Sequence, residues 1–154
     1  MSSGRRHDSI SITLSAAIAL AVAAVVGVYY AGIFAGGYTA GWRYLSPDLD
    51  LPQSLPSRRW GKCLKKIWEP YQATHKHRGT SHWPLIGSAV RLTYLFFCGS
   101  PLIVVGLIAA DSLSGGALVL SVAVIAPAVF AFYCGVEAAC LLHLALDTKA
   151  LSRH

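Results

Sequence analysis

Long runs of apolar residues dominate the chain and predict membrane-spanning helices. Residues 10–30 carry no charged side chain, and a helix of roughly 20 apolar residues is long enough to cross the hydrocarbon core of a bilayer. This run is longer than the core of a typical signal peptide, so we expect it to be retained. Residues 31–45 are glycine-rich, and the spacing of Gly37 and Gly41 allows close contact between helices. We predict a tight hairpin of two spans, with a re-entrant second arm as the alternative.

Two more apolar runs follow a polar stretch. Residues 84–110 and 117–147 are each long enough for a further span. Residues 46–83, which precede them, combine proline, lysine, arginine and tryptophan, a composition typical of a loop at the membrane interface. The pattern predicts an all-α fold. It would be a polytopic membrane protein with one membrane domain over residues 1–154, built as a four-helix transmembrane bundle with a polar interfacial loop between helices two and three.

The distribution of charge predicts an orientation. The chain is 55% hydrophobic and 13% charged, and its 13 Lys+Arg outnumber its 7 Asp+Glu. Such a basic excess is also typical of nucleic-acid-binding proteins, but here every Lys and Arg that flanks a predicted span lies on one side, which indicates membrane topology. The positive-inside bias therefore places both termini and residues 46–83 in the cytoplasm. Membrane lipids are the expected partners, and no nucleic acid is expected.

A short pattern within the polar stretch predicts how it meets the lipid. Leu64–Trp68 places two lysines beside a tryptophan, and both residue types are favourable in the headgroup layer. We expect a short amphipathic helix on the membrane surface, in a basic loop that binds anionic headgroups.

Acids and histidines concentrate at one predicted membrane face. They lie before the first span, after the second, before the third and at the end of the fourth, as four pairs: His7 with Asp8, Asp48 with Asp50, His77 with His82, and His143 with Asp147. Helix ends in a bundle are neighbours, so these pairs can converge. His143 and Asp147 are four residues apart and share a helix face. In an extended chain, Asp48 and Asp50 would point to the same side.

The residue types suit a metal. Imidazole and carboxylate bind zinc, manganese or ferrous iron. More candidates are present than one tetrahedral ion needs, so the site can hold one divalent ion or two, with zinc as our first expectation. Each pair alone has an ordinary explanation, such as a polar helix start, a turn cap, a headgroup contact or a buried hydrogen-bonded histidine. Their shared location favours the metal site.

Two charges lie inside predicted spans. An unpaired charge is unfavourable in hydrocarbon, so we expect Arg91 and Glu137 to pair with each other. One interpretation is structural, an ion pair that joins the third and fourth spans. The other is catalytic, with Glu137 as a base beside the metal and Arg91 as an anchor for a phosphate or carboxylate group.

The motifs of the chain are, in order, His7-Asp8, Ser46-Pro47-Asp48-Leu49-Asp50, Arg59-Trp60-Gly61, Trp68-x-Pro70-Tyr71, His77-Arg78-Gly79-x-Ser81-His82, Gly135-x-Glu137 and His143-x-x-x-Asp147. In this order they resemble a bacterial family of small membrane proteins described as metal-binding and of unknown function. They are more distantly similar to the YdjM-like inner-membrane proteins, a group of suspected metal-dependent hydrolases. The resemblance covers nearly the whole chain.

The resemblance implies a site and a location. The implied metal ligands are His7, Asp48, Asp50, His77, His82, His143 and Asp147. Asp8 and His75 match less clearly and would support the ligands. The resemblance also implies a bacterial inner-membrane protein, with hydrolysis as its suspected activity.

Two functions follow from this sequence. The first is a membrane-embedded metal-dependent hydrolase of a lipid-linked or headgroup phosphoester at the cytoplasmic face, with Glu137, Arg78 and Arg91 as catalytic candidates. The alternative is a structural or interaction protein whose closed metal site pins the helix ends together without catalysis. Metal transport fits less well, because the first two spans carry no polar relay at their centres.

Overall fold

The structure is a computed structural model that describes residues 3–75, 79–113 and 122–151. Helix makes up 88% of it, and no strand occurs in these ranges. The predicted all-α fold is therefore confirmed.

Four long helices carry the fold, and shorter ones connect the second to the third. The long helices are α1 (Ser3–Val26), α2 (Val28–Arg43), α6 (Ile86–Leu113) and α7 (Val122–Leu151). The short helices are α3 (Leu55–Arg59), α4 (Gly61–Leu64) and α5 (Glu69–Thr74). Three single 3₁₀ turns lie at Pro47–Asp50, Lys65–Trp68 and Thr80–His82.

The break between the first two helices lies at a glycine. Gly27 has a φ of 82°, a conformation that glycine adopts far more readily than residues with a side chain. The first helix therefore ends at Val26 and the second begins at Val28, a few residues before the boundary that apolar length alone predicts. The two helices contact each other, as expected of the predicted hairpin.

Glycines bring α2 and α7 into backbone contact. A Cβ added to Gly37 would lie 2.1 Å from the carbonyl oxygen of Phe132, and one added to Gly135 would lie 2.1 Å from that of Phe34. Gly41 meets α7 in the same way, with Val136 atoms within 3.0 Å of the added Cβ. The predicted contact between small residues is thus the α2–α7 interface, to which α7 contributes a glycine of its own.

The polar segment between α2 and α6 is a cap of short helices rather than an open loop. Its centre is Trp68, which is fully buried, and whose ring centroid lies 5.6 Å from that of Tyr71 and 5.5 Å from that of Tyr94 in α6. Leu64–Trp68 is helical, as the end of α4 followed by a 3₁₀ turn, and Leu64 and Lys66 are exposed. The predicted position of Trp68 in the headgroup layer is wrong, because Trp68 packs inward. Burial against other aromatic rings stabilises it there.

Two helices are long and apolar enough to cross a membrane. They cover Ile86–Ala110 in α6 and Ile125–Thr148 in α7. Helix α2 has 16 residues, fewer than the roughly 20 that a bilayer core requires. In the described part of the chain, two candidate spans therefore stand where four were predicted.

Candidate metal centre

Four side chains from three separate segments converge on one point. Asp48 comes from the first 3₁₀ turn after α2, and His82 from the turn that precedes α6. His143 and Asp147 come from the C-terminal part of α7, where their spacing places them on one helix face. One ligand atom of each residue lies within 4.8 Å of the others. The predicted convergence of helix ends therefore occurs for these four residues.

The spacing of the donor atoms suits a single ion. The Nε2 atoms of His143 and His82 lie 3.4 Å and 3.7 Å from the same oxygen, Oδ1 of Asp48. Oδ2 of Asp147 lies 3.5 Å from Nε2 of His143. Two atoms bound about 2.1 Å from one tetrahedral ion lie about 3.4 Å apart. The donor set and its spacing therefore fit zinc or a similar divalent ion.

The electrostatics favour an ionised carboxylate at the centre of the cluster. Burial alone would raise the pKa of Asp48. The hydrogen bonds and positive charges of His143 and His82 outweigh that effect and hold its pKa well below the usual range. Asp48 is thus available as an anionic ligand at neutral pH.

The cluster is accessible from its carboxylate side. The side chains of Asp48 and Asp147 are 29% and 30% exposed, whereas those of His82 and His143 are each 10% exposed. The imidazoles are therefore held inside the protein while the two carboxylates face outwards. An ion at this point could be reached by water or substrate from that side.

Asp50 is separated from the converging group by His82. Its Oδ2 accepts a hydrogen bond from Oγ of Ser81 at 2.8 Å and lies 3.6 Å from Nδ1 of His82. Because Pro47–Asp50 is a 3₁₀ turn rather than an extended strand, Asp48 and Asp50 reach opposite sides of the imidazole ring.

The other sequence candidates lie elsewhere. The side chains of His7, Asp8, His77 and Arg78 are outside the described part of the structure. His75 is described and is not in the converging group; its Nδ1 lies 2.9 Å from the carbonyl oxygen of Tyr71, and the two rings stack.

The predicted pairing of Arg91 with Glu137 is wrong. Nη1 of Arg91 donates to the carbonyl oxygen of Ser81, and Nη2 donates to Oγ of Ser88 at 3.3 Å and to Sγ of Cys140 at 3.1 Å. Glu137 instead accepts a hydrogen bond from a backbone amide. Each charged side chain thus binds a backbone group of the segment that leads into α6, and sequence spacing does not reveal this.

Glu137 holds the start of α6 in an unusual conformation. Leu85 has a φ of 64°, and its amide donates to Oε1 of Glu137 at 2.8 Å. Its carbonyl oxygen accepts from the hydroxyl of Tyr133 at 3.0 Å. Tyr133 and Glu137 are one turn apart on α7, so one face of that helix clamps the strained residue.

Fold and site together define an all-helical protein with an aspartate–histidine cluster fit to bind a metal. The chain belongs to the family described as "Uncharacterized metal-binding protein (DUF2227)", which it matches over residues 2–153. The predicted membership of a metal-binding family is thereby confirmed.

One relative and the solved structures complete the comparison. A protein of Aquifex aeolicus (strain VF5), described as an uncharacterized protein, is 50% identical over 62 residues, which are 40% of this chain and 43% of the relative. The match therefore spans less than half of that relative's length. No solved structure matches the chain.

Proposed function

We propose that the protein is a membrane-embedded metal-dependent hydrolase that acts on a lipid-linked or headgroup phosphoester at the cytoplasmic face. One observation carries this proposal. The two Nε2 atoms and two carboxylates converge at the spacing of a single metal ion, and the carboxylate side of the cluster faces outwards.

The residues of the cluster would bind the ion and leave one side of it accessible. Asp48, His82, His143 and Asp147 would hold the ion, with zinc as first choice and manganese or iron as alternatives. A bound ion of this kind lowers the pKa of water and polarises a phosphoryl oxygen. The buried imidazoles would fix two ligand positions, and the partly exposed carboxylates would leave one side of the ion open to a substrate. A second ion would need ligands beyond these four residues.

Of the three catalytic candidates, Arg78 is favoured over Arg91 and Glu137. Arg78 precedes the ligand His82 by four positions and remains our candidate for binding the phosphoryl group. The buried contacts of Arg91 and Glu137 favour a structural role for each, because both side chains bind backbone groups of the segment that leads into α6.

The exposed apolar surface of α6 supports the proposal that the protein lies in a membrane. Phe96, Phe97, Leu102 and Val105 of α6 are 59%, 68%, 78% and 65% exposed, and a soluble monomer rarely presents so large an apolar surface. We infer that α6 and α7, the two candidate spans, cross the bacterial inner membrane. The positive-inside bias would place the termini and the cap at residues 46–83 in the cytoplasm.

A cationic and aromatic surface at the end of α2 fits anionic lipid headgroups. Arg43 is exposed, and its guanidinium lies 5.7 Å from the ring centroid of Trp42, as does that of Arg59. Nη1 of Arg59 donates to the carbonyl oxygen of Arg43 at 3.1 Å. Headgroups bound here would lie at the end of α2, from which the chain leads directly into the ligand-bearing turn. We expect no nucleic-acid partner.

A closed structural metal site is the second candidate function. Four protein donors are enough to fill a tetrahedral shell, and the cluster joins the cap to the end of α7. In that case removal of the metal would lower the thermal stability without abolishing an activity.

The metal content of the protein tests the metal site, which both candidate functions require. We expect the detergent-purified protein to hold divalent metal near one equivalent, measured by elemental analysis, and Asp48→Ala and His143→Ala to lose it. His75→Ala is the matched control and should keep its metal. Unchanged metal content in both cluster variants would overturn the site.

Hydrolysis separates the two candidates. The metal-loaded protein would be assayed against phospholipids and polyprenyl phosphates in mixed micelles, with Asp48→Ala as the blank. Release of a phosphate-containing product by the wild type alone supports the hydrolase. Absence of turnover on the whole panel, together with a fall in melting temperature on chelation, supports the structural site.

A further inference from the structure

A chain of buried polar groups lies against His82 on the side away from Asp48. Asp50, Ser81 and Arg91 are 3%, 1% and 1% exposed, in contrast to the partly exposed carboxylates of the cluster. Buried polar groups are normally retained only where each finds a hydrogen-bond partner. Their arrangement therefore bears on how His82 is oriented.

The donors and acceptors among these polar groups bear on which nitrogen of His82 carries a proton. A serine hydroxyl has one hydrogen to donate, and an ionised carboxylate only accepts. Oγ of Ser81 donates that hydrogen to Oδ2 of Asp50 at 2.8 Å. The same Oγ lies 3.1 Å from Nδ1 of His82, and it can only accept there. That contact is a hydrogen bond only if Nδ1 of His82 carries the hydrogen, which in a neutral ring leaves the lone pair on Nε2.

The direction of the lone pair matches the metal cluster. Nε2 of His82 is the ring atom that lies 3.7 Å from Oδ1 of Asp48. A neutral imidazole binds a metal through its unprotonated nitrogen, and its other N–H is commonly held by a hydrogen-bond acceptor. Asp50, through Ser81, provides that second contact.

Arg91 holds the backbone of the same segment. Its Nη1 donates to the carbonyl oxygen of Ser81, while Nη2 reaches Sγ of Cys140 on α7. Gly87 allows the turn to lie directly on α6, because an added Cβ would come within 2.3 Å of the Ser81 carbonyl oxygen. The position of His82 is thus fixed from its side chain and from its backbone.

We propose that Asp50 and Ser81 are positioning residues that hold His82 as the Nδ1–H tautomer, with Nε2 aimed at the metal, while Arg91 positions the backbone of the same segment. Asp50 then supports a histidine ligand and is not itself a ligand. This inference rests on the proposed metal site. It assigns a role to buried groups that the four converging side chains leave unexplained.

The tautomer can be measured without any metal or activity. The full-length protein would be labelled with ¹⁵N-histidine, freed of metal and studied in detergent by NMR at a pH where imidazole is neutral. The His82 signals would be identified by their loss in His82→Gln. We expect a protonated Nδ1 and an unprotonated Nε2 in the wild type, and a mixture of tautomers in Ser81→Ala. A wild-type His82 protonated at Nε2 would overturn the proposal.

Metal affinity tests the consequence of this orientation. Loss of a group that supports a ligand typically weakens binding about 10-fold to 100-fold. Asp50→Asn and Ser81→Ala should show that loss in a chelator competition while keeping the wild-type stoichiometry. Ser57→Ala removes an equally buried serine that contacts Gln72 and should bind metal normally.

Two outcomes distinguish failure of the positioning role from failure of the proposed function. If Asp50→Asn loses a full equivalent of metal, Asp50 is a ligand and the positioning role is wrong. If the wild type binds no metal but still shows the Nδ1–H tautomer, the proposed function fails while the orientation of His82 stands. Because the tautomer is read in the wild type, a variant that does not fold leaves the test intact.

Discussion

Glu137 shows how one buried acid can determine the path of the backbone beside the cluster. It accepts the amide hydrogen of Leu85, whose φ of 64° is unfavourable for a residue with a side chain. The sequence allowed a catalytic base or an ion pair at this position. The observed contact is a third possibility, a side-chain acceptor for a strained backbone.

Substitutions at Glu137 should separate these roles. Glu137→Gln keeps an acceptor for the Leu85 amide and should leave the melting temperature in detergent close to that of the wild type. Glu137→Ala removes the acceptor and should lower stability by about 1–3 kcal/mol. Normal stability of Glu137→Gln together with loss of all hydrolysis would contradict a purely structural role and restore the catalytic one.

Asp48 should give the metal-free protein a pH-dependent stability. Its pKa in the folded state lies below the ordinary value of 3.8. A carboxyl of this kind stabilises the fold at pH values above its unfolded pKa, and the contribution is lost as the pH falls through the folded pKa. Wild type should therefore be more stable than Asp48→Asn at pH 6, with an advantage that declines below about pH 4. Thermal unfolding in chelator measures this difference. An advantage that grows on acidification would contradict it.

At the scale of helices, the α2–α7 contact determines the distance between Asp48 and the two ligands on α7. Asp48 follows α2, while His143 and Asp147 lie on α7, so any shift between the two helices changes their separation. The glycine contacts at Gly37 and Gly135 leave no room for a methyl group. Helix packing and metal geometry are therefore coupled.

A single methyl group should reveal this coupling. Gly135→Ala should separate the helices, lower stability by about 1–3 kcal/mol and weaken metal binding in the same preparation. Gly36→Ala is the matched control, because an added Cβ there meets nothing within 4 Å, and it should be neutral or slightly stabilising. Equal behaviour of the two variants, in unfolding and in metal titration, would contradict the coupling.

Helices and helix contacts could be predicted where they depend on residues that are close together in the sequence. The length of an apolar run indicates a helix, and the spacing of Gly37 and Gly41 indicates where two helices meet. The direction of a side chain in an irregular segment depends on the backbone that carries it. Asp48 and Asp50 were expected on one side because an extended chain was assumed. Trp68 was expected among lipid headgroups because it follows two lysines, and the sequence does not show that it packs against Tyr94 of α6.

At the scale of the whole molecule, the membrane topology remains the prediction with the widest consequences. The cap and the metal cluster lie together at one end of α6 and α7. If these helices cross the inner membrane as proposed, that end faces the cytoplasm, and any substrate must come from that headgroup layer or the cytosol. The opposite orientation would place the cluster outside the cytoplasm.

Two native cysteines allow the topology to be tested. Cys63 in α4 and Cys98 near the middle of α6 are both exposed in the structure. In a membrane, lipid would shield Cys98, whereas Cys63 would face water on the cytoplasmic side. Each would be kept as the single cysteine of a variant and treated with a membrane-impermeant maleimide. We expect Cys63 to react in inside-out vesicles and not in right-side-out vesicles, and Cys98 to react in neither until detergent is added. Reaction of both cysteines in intact vesicles of one orientation would show that α6 is not buried in lipid, and reaction of Cys63 in right-side-out vesicles alone would reverse the orientation.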